Sequence, residues 1–340
     1  MQASSERWIL SPGKDLALFL GVTLTTLLPW LAVERFGVPP YYVLVAVALV
    51  NGPHLISTWT RVYLPRSERF ARPVYYWVVP ACALAFAIAC YGSGEPGPTL
   101  ARTVIFYWAS WHFVAQSWGV LRIYQRKHDA PMTLVRLEKA LIFLPAFFFV
   151  AHRVFTGPWQ LFGAQIFHPR LPAWVPNGLG AACIVLSVVY LVRFRPGAAG
   201  AAAYARPFYL GMNAIGFAVP YLFIQNGTAA FSAAALWHAA QYIAIVWYFN
   251  HRRWQGGVDA DARALSWASQ PGRGPAYVAL LAVGAVLVYG CVFVASRFCW
   301  GFQRWALAVW TGLTLGHYFL DGVIWKFRRY RLDERLVRSI

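Results

Sequence analysis

Four histidines lie inside long apolar stretches of this chain, and they are the residues best able to do chemistry. They are His54, His112, His238 and His317. Neutral imidazole is a common ligand of iron, copper and zinc. A bound metal also offsets the cost of holding polar groups in an apolar phase. The pattern therefore predicts a metal site with these four histidines as ligands.

Each of the four histidines has a polar residue about one helical turn away, which places the two side chains on one face of a helix. These neighbours are Asn51 and Thr58 for His54, Gln116 for His112, Gln241 for His238 and Asp321 for His317. A carboxylate or amide in this position can bind the metal or accept the second N–H of a ligand imidazole. We assign catalytic roles to Asp321, Gln116 and Gln241, with Asp321 as a ligand or as the residue that orients an imidazole. Hydrogen bonding between helices, or an ion pair of Asp321 with Lys326 or an arginine, is the alternative.

Two tryptophans directly precede histidines of this set. Trp111 comes before His112, and Trp237 comes before His238. Both are predicted to lie deeper than an interfacial tryptophan, so we predict that they line a cofactor pocket. Most other tryptophans of the chain are typical of a belt at the membrane surface.

The composition places these residues in a membrane protein. Of the 340 residues, 59% are apolar and only 12% are charged, and the mean hydropathy is +0.48. An ordinary soluble domain has about 25% charged residues. The net charge of +18 does not indicate nucleic-acid binding, because the basic residues stand in short blocks between apolar runs rather than in one patch.

The apolar runs predict an all-α fold: a single transmembrane domain, 1–340, with about ten spans. A bilayer is crossed by about 20 helical residues, and tilt allows a range of about 17–25. The predicted spans are 15–33, 41–60, 73–91, 102–122, 138–155, 176–193, 207–226, 228–250, 275–296 and 304–326. The segment 156–175 is predicted to be an interfacial or re-entrant loop, and 195–206 a flexible connector.

Lysine and arginine counts predict the orientation. With both termini in the cytoplasm, 24 of the 30 basic residues fall on the cytoplasmic side, as in a multi-pass protein of a bacterial inner membrane. The four histidine-bearing spans then run in the same direction. Their histidines lie roughly 10–21 Å from the cytoplasmic basic residues, taking a rise of about 1.5 Å per residue. The four imidazoles can therefore meet in one layer.

This layout, together with "PH" in "NGPHLIS" and "WHF" in "SWHFVAQ", resembles the Brp/Blh membrane β-carotene dioxygenases. The resemblance implies a histidine-held non-haem iron and cleavage of a carotenoid with O₂. It does not extend along the chain, because "HAAQY" and "HYFLDGVIWK" do not belong to that pattern. These segments look more like uncharacterised bacterial polytopic membrane proteins.

The sequence thus favours a membrane metalloenzyme with non-haem iron that oxidises a lipid-soluble substrate, either a lipid or an isoprenoid or carotenoid-like molecule, with O₂. Membrane lipids and a cytoplasmic electron donor are the expected partners, and no nucleic acid is expected. Two alternatives stay open. One is a b-type haem protein that transfers electrons to or from quinone. The other is a transporter in which the histidines and Asp321 relay protons.

Overall fold

The computed structural model describes residues 7–157, 159–195, 203–298 and 302–325, and this part of the chain is almost entirely helical. Its longer helices, numbered in chain order, are α1 Pro12–Leu24, α2 Pro40–Tyr63, α3 Val79–Gly92, α4 Gly97–Lys127, α5 Met132–Phe155, α6 Trp174–Arg193, α7 Ala205–Ala218, α8 Gly227–Arg253, α9 Gly274–Phe298 and α10 Phe302–Ile324. Each predicted span overlaps one of these helices, and the spans 15–33, 73–91 and 207–226 also include shorter helical elements.

Shorter elements adjoin the long helices. Three short helices are Leu27–Trp30, Arg66–Arg69 and Arg263–Ala268, and three π-helical turns are Leu31–Arg35, Val74–Val78 and Val219–Phe223. The predicted loop 156–175 contains a small antiparallel hairpin in which Gln160–Leu161 pairs with Ala164–Gln165. Most of the predicted connector and the tail 326–340 lie outside the described residues.

Six helical segments of the described chain are long and apolar enough to cross a membrane. They are Pro12–Arg35, Tyr42–Tyr63, Val74–Gly92, Trp174–Arg193, Gly227–Arg253 and Gly274–Cys291. The all-α, multi-pass character that the sequence predicts is therefore confirmed. The count of ten spans and the cytoplasmic position of both termini stay predictions.

The described helices form two compact units, and the chain passes between the units inside α2, α4 and α8. The first unit comprises 7–47 and 110–241. Its helices are tied together by a fully buried carboxylate, Glu138 of α5. This group pairs with Arg206 of α7 at 3.1 Å and accepts hydrogen bonds from Gln125 of α4 and Tyr190 of α6. A buried carboxylate is tolerated when it is paired with a cation and hydrogen-bonded at both oxygens in this way.

The second unit comprises 48–109 and 242–325, and its helices approach one another closely at glycines. A Cβ on Gly312 of α10 would lie 2.7 Å from the Cα of Leu84 in α3. A Cβ on Gly284 of α9 would lie 2.7 Å from the Cγ2 of Ile56 in α2. Small residues at such contacts let the helix backbones pack closely. Close packing is needed in a membrane because the apolar lipid supplies little driving force for helix association.

Outside the spans of this unit, Asp261 joins two loops. It accepts hydrogen bonds from the backbone N–H and the side-chain hydroxyl of Ser67. The hydroxyl bond is the main reason that the pKa of the Asp261 carboxyl is lowered. The Arg66 backbone N–H also donates to the Asp261 carbonyl oxygen, so the short helix after α2 is held against the loop after α8.

We predict that Gly312→Ala destabilises the protein, because the new methyl group would meet the Leu84 backbone, which cannot move aside as a side-chain tip would. The expected loss is about 1–3 kcal/mol, as for other overpacked positions. Thermal unfolding in neutral detergent measures it. The matched control is Gly322→Ala on the same helix, where no atom lies within 4 Å of the added Cβ. Equal melting temperatures for the two variants would contradict the close packing of α10 on α3.

Candidate metal centre

The four histidines lie on four different helices, and all four are buried. α2 carries His54, α4 carries His112, α8 carries His238 and α10 carries His317, with exposed fractions of 1% to 5%. Pro53 stands inside α2 directly before His54. It has no N–H to donate to the preceding turn, yet α2 continues through it, as helices packed in an apolar phase permit.

His54 and His317 form one pair. Their ring centres are 4.5 Å apart and the rings are nearly perpendicular, at 88°. The ring of Tyr242, on α8, lies 4.4 Å from His54 at 85°. These edge-to-face contacts fix the orientation of the His54 ring, because ring pairs prefer this arrangement over direct face-to-face stacking.

A hydrogen-bonded network surrounds His317. Its Nδ1 lies 2.9 Å from the hydroxyl of Thr58, and that hydroxyl donates to the Oδ1 atom of Asp321 at 2.7 Å. Tyr242 donates a second hydrogen bond to the same oxygen at 2.6 Å. Trp325 in turn donates its indole N–H to the Tyr242 hydroxyl at 3.2 Å. A carboxylate thus accepts two hydroxyl hydrogen bonds in a buried site, where charge-assisted bonds are strong.

The network favours one protonation state of His317. When Thr58 gives its proton to Asp321, its oxygen is available to accept the Nδ1–H of His317. The lone pair of that imidazole is then on Nε2, the atom that lies 3.7 Å from the Oδ2 atom of Asp321. A partner on one ring nitrogen is how proteins prepare the other nitrogen to bind a metal.

His112 and His238 form the second pair. Their ring centres are 4.7 Å apart at an angle of 69°. The ring of Phe113 lies 4.4 Å from His238 at 35°, and Phe113 is itself buried. The amide of Gln116 donates to the backbone carbonyl of His238 at 3.2 Å, so α4 and α8 are joined at this level.

The four histidines together form a cluster at metal-binding distance. Each offers one ring nitrogen, and these four atoms lie within 4.8 Å of one another. Ligand nitrogens bind one ion at about 2.1 Å, so two ligands of the same ion lie at most about 4.2 Å apart. This donor set is compatible with a histidine-ligated metal site.

The structure places the three predicted catalytic residues differently from one another. Asp321 lies beside the cluster and touches His317 chiefly through Thr58, which fits the orienting role rather than that of a ligand. Gln116 reaches the backbone of His238 rather than its ring. Gln241 accepts from the Tyr209 hydroxyl at 3.4 Å. Both glutamines make contacts between helices, and their catalytic roles stay predictions.

The two tryptophans have other surroundings. Trp111 is 51% exposed, and its ring packs against Phe143 and Phe147 of α5. Trp237 is buried and packs directly against Gly216. If Gly216 had a Cβ atom, that atom would lie 2.4 Å from the nearest indole atom of Trp237. These contacts account for both residues by helix packing, and a role in binding a cofactor stays a prediction.

Two residues of the site carry no clear sequence signal. Tyr242 directly follows Gln241, and aromatic residues are common throughout the chain. Arg61 counts among the basic residues that set topology, yet it is buried at the last turn of α2. Its spacing of seven residues from His54, nearly two helical turns, was a signal that could have linked it to the site.

Comparison with known protein families, with curated proteins and with solved structures finds no match for this chain. The function must therefore be argued from the site.

We predict that Tyr242→Phe destabilises the fold more than Tyr277→Phe does. Both tyrosines are buried, but Tyr242 donates to a carboxylate whereas Tyr277 is 3.5 Å from the amide of Asn250. The expected losses are about 1.5–3 kcal/mol for the bond to a charged group and about 0.5–1.5 kcal/mol for the neutral one. Thermal unfolding of the two variants in the same detergent compares them. A larger loss for Tyr277→Phe would show that the network does not hold a charged Asp321.

Proposed function

We propose that this chain is a membrane-embedded metalloenzyme that holds one non-haem iron with His54, His112, His238 and His317 and oxidises a lipid-soluble substrate with O₂. The observation that carries the proposal is the buried cluster of four ring nitrogens within 4.8 Å of one another. Imidazole suits iron, copper and zinc. Iron is preferred because it can bind four imidazoles and still keep positions open, whereas zinc with four protein ligands forms a closed structural site.

The four-membered set also argues for non-haem iron over haem. A porphyrin supplies the in-plane ligands of haem iron, so the protein adds only the axial ones. Four imidazoles that offer ring nitrogens within 4.8 Å of one another exceed that need. The haem alternative therefore becomes the less favoured reading of the same residues.

The residues around the cluster have definable tasks in such an enzyme. Bound iron would supply the activation of O₂. Thr58 holds His317 in the Nδ1–H tautomer and lies between that imidazole and Asp321, so its hydroxyl can pass a proton between them. Tyr242 keeps the Asp321 carboxylate in place. The burial of all these groups excludes water from the reaction.

The wider setting of the enzyme is part of the proposal. We place ten spans in a bacterial inner membrane with both termini in the cytoplasm, because that arrangement leaves only 6 of the 30 basic residues on the outer side. A cytoplasmic electron donor would then be on the nearer side of the histidine layer. The likeness to the Brp/Blh group supports iron and O₂, and an isoprenoid or other lipid is the substrate class that we propose.

The detergent-purified protein is expected to contain about one iron per chain and to show no Soret band. Each of the variants His54→Ala, His112→Ala, His238→Ala and His317→Ala should lower the iron content more than about tenfold. Elemental analysis and an absorption spectrum before and after dithionite provide the measurements. His251→Ala is the matched control, since that residue stacks on Trp247 and lies outside the cluster. Iron retained in all four variants would refute the site, and a Soret band would establish haem.

Thr58→Val should weaken iron binding without removing a ligand. The variant loses the acceptor for His317 Nδ1–H. Loss of a hydrogen-bond partner of a metal-binding imidazole typically lowers metal affinity about 10–100-fold. Thr60→Val is the control, because within the described chain the Thr60 hydroxyl donates to the backbone carbonyl of Ser57 and to no other group. Iron affinity is measured by competition with a chelator. An unchanged affinity in Thr58→Val would remove the tautomer-fixing role of this hydroxyl.

A further inference from the structure

A buried arginine lies on the same face of α2 as His54. Arg61 is 7% exposed, and it follows Thr58 by three residues and His54 by seven. At 1.5 Å rise per residue, Arg61 is about 10 Å along the helix from His54. One face of α2 therefore presents a histidine of the cluster, the hydroxyl of the network and a guanidinium in sequence.

Aromatic rings hold the Arg61 side chain from one side. Its Cζ atom lies 4.1 Å from the ring centre of Phe249 and 4.3 Å from that of Trp325. The two rings are 5.5 Å apart and inclined at 73°, so they form a corner around the guanidinium. Cation–π contacts of this kind stabilise the charge and fix the plane of the guanidinium. They do not supply hydrogen-bond acceptors for the N–H groups that point outward in that plane.

One nitrogen of the Arg61 guanidinium makes no hydrogen bond to the described residues. Its Nη1 atom is buried and has no hydrogen-bond partner among the residues that the structure describes. A buried guanidinium with an unused N–H group is suited to a ligand that brings an acceptor of negative charge.

We propose that Arg61 binds the anionic head group of an amphiphilic ligand, a carboxylate or a phosphate, whose apolar chain extends along α2 towards His54. That this ligand is the substrate of the enzyme rests on the proposed function. The proposal narrows the lipid-soluble substrate to an acidic lipid and away from a hydrocarbon such as a carotene. Arginine suits the task because its planar fork recognises carboxylate and phosphate oxygens in pairs, as a lysine ammonium does not.

The test is equilibrium binding of radiolabelled oleate and methyl oleate to the full-length protein in neutral detergent. The wild type should bind oleate at least about tenfold more tightly than the ester, because only oleate carries the charge. Arg61→Met should remove this preference and leave the ester unchanged, and Arg61→Lys should keep part of it. Arg66→Met is the matched control, since Arg66 is exposed just beyond the same helix. Equal binding of oleate and ester to the wild type, or a full preference in Arg61→Met, would overturn the proposal.

Further arms separate the possible outcomes. Tighter binding of an octadecenyl phosphate than of oleate, lost in Arg61→Met, would support the site and assign phosphate as the head group. Iron content is measured on the same preparations. An Arg61-dependent preference in protein without iron would support the head-group site while the metalloenzyme proposal fails. Iron-loaded wild type that binds acid and ester equally would overturn the head-group site while the metal centre stands. The wild-type comparison needs no variant, so a poorly folded Arg61→Met does not decide it.

Discussion

The cost of burying polar groups away from water is the constraint on which the site depends. Four imidazoles, a carboxylate and a guanidinium are all at most 7% exposed. Each loses its hydration, and burial is tolerated only where other groups take the place of water. For Asp321 the replacement is two hydroxyl groups, and for Arg61 it is a corner of aromatic rings. For the four imidazoles, a shared metal ion is the replacement that we propose.

The same constraint shapes the first unit by other means. Glu138 is fully buried, but an arginine, an amide and a phenol from three other helices surround it. The Glu138 carboxylate is thus hydrogen-bonded at both oxygens, and it neutralises Arg206, although the Nε and Nη1 atoms of Arg206 have no hydrogen-bond partner among the described residues. The Nη1 atom of Arg61 likewise has none there, but aromatic rings rather than a carboxylate hold that guanidinium. The two buried arginines therefore differ in what surrounds their charge.

The sequence predicts much of this because hydrophobic runs and helical spacing are local signals. All ten predicted spans overlap helices of the described chain, and the four histidines were selected from eight by their depth within those runs. Spacing along one helix shows which side chains share a face, but not which neighbour that face meets. For this reason Asp321 was placed beside His317 correctly, while Gln241 was assigned to His238 although it meets Tyr209 of α7. Tyr242 and Arg61 were missed because their roles depend on contacts between helices distant in sequence.

Thr58 connects three helices at the site through one hydroxyl group. Its hydroxyl belongs to α2, the helix of His54, yet it contacts Asp321 and His317 of α10 and Tyr242 of α8. Docking of these helices and orientation of the His317 imidazole are therefore one event. By thermodynamic linkage, an ion that binds only the docked arrangement stabilises it by RT ln(1 + [ion]/Kd). The persistence of the folded protein in its membrane would then follow the supply of its metal.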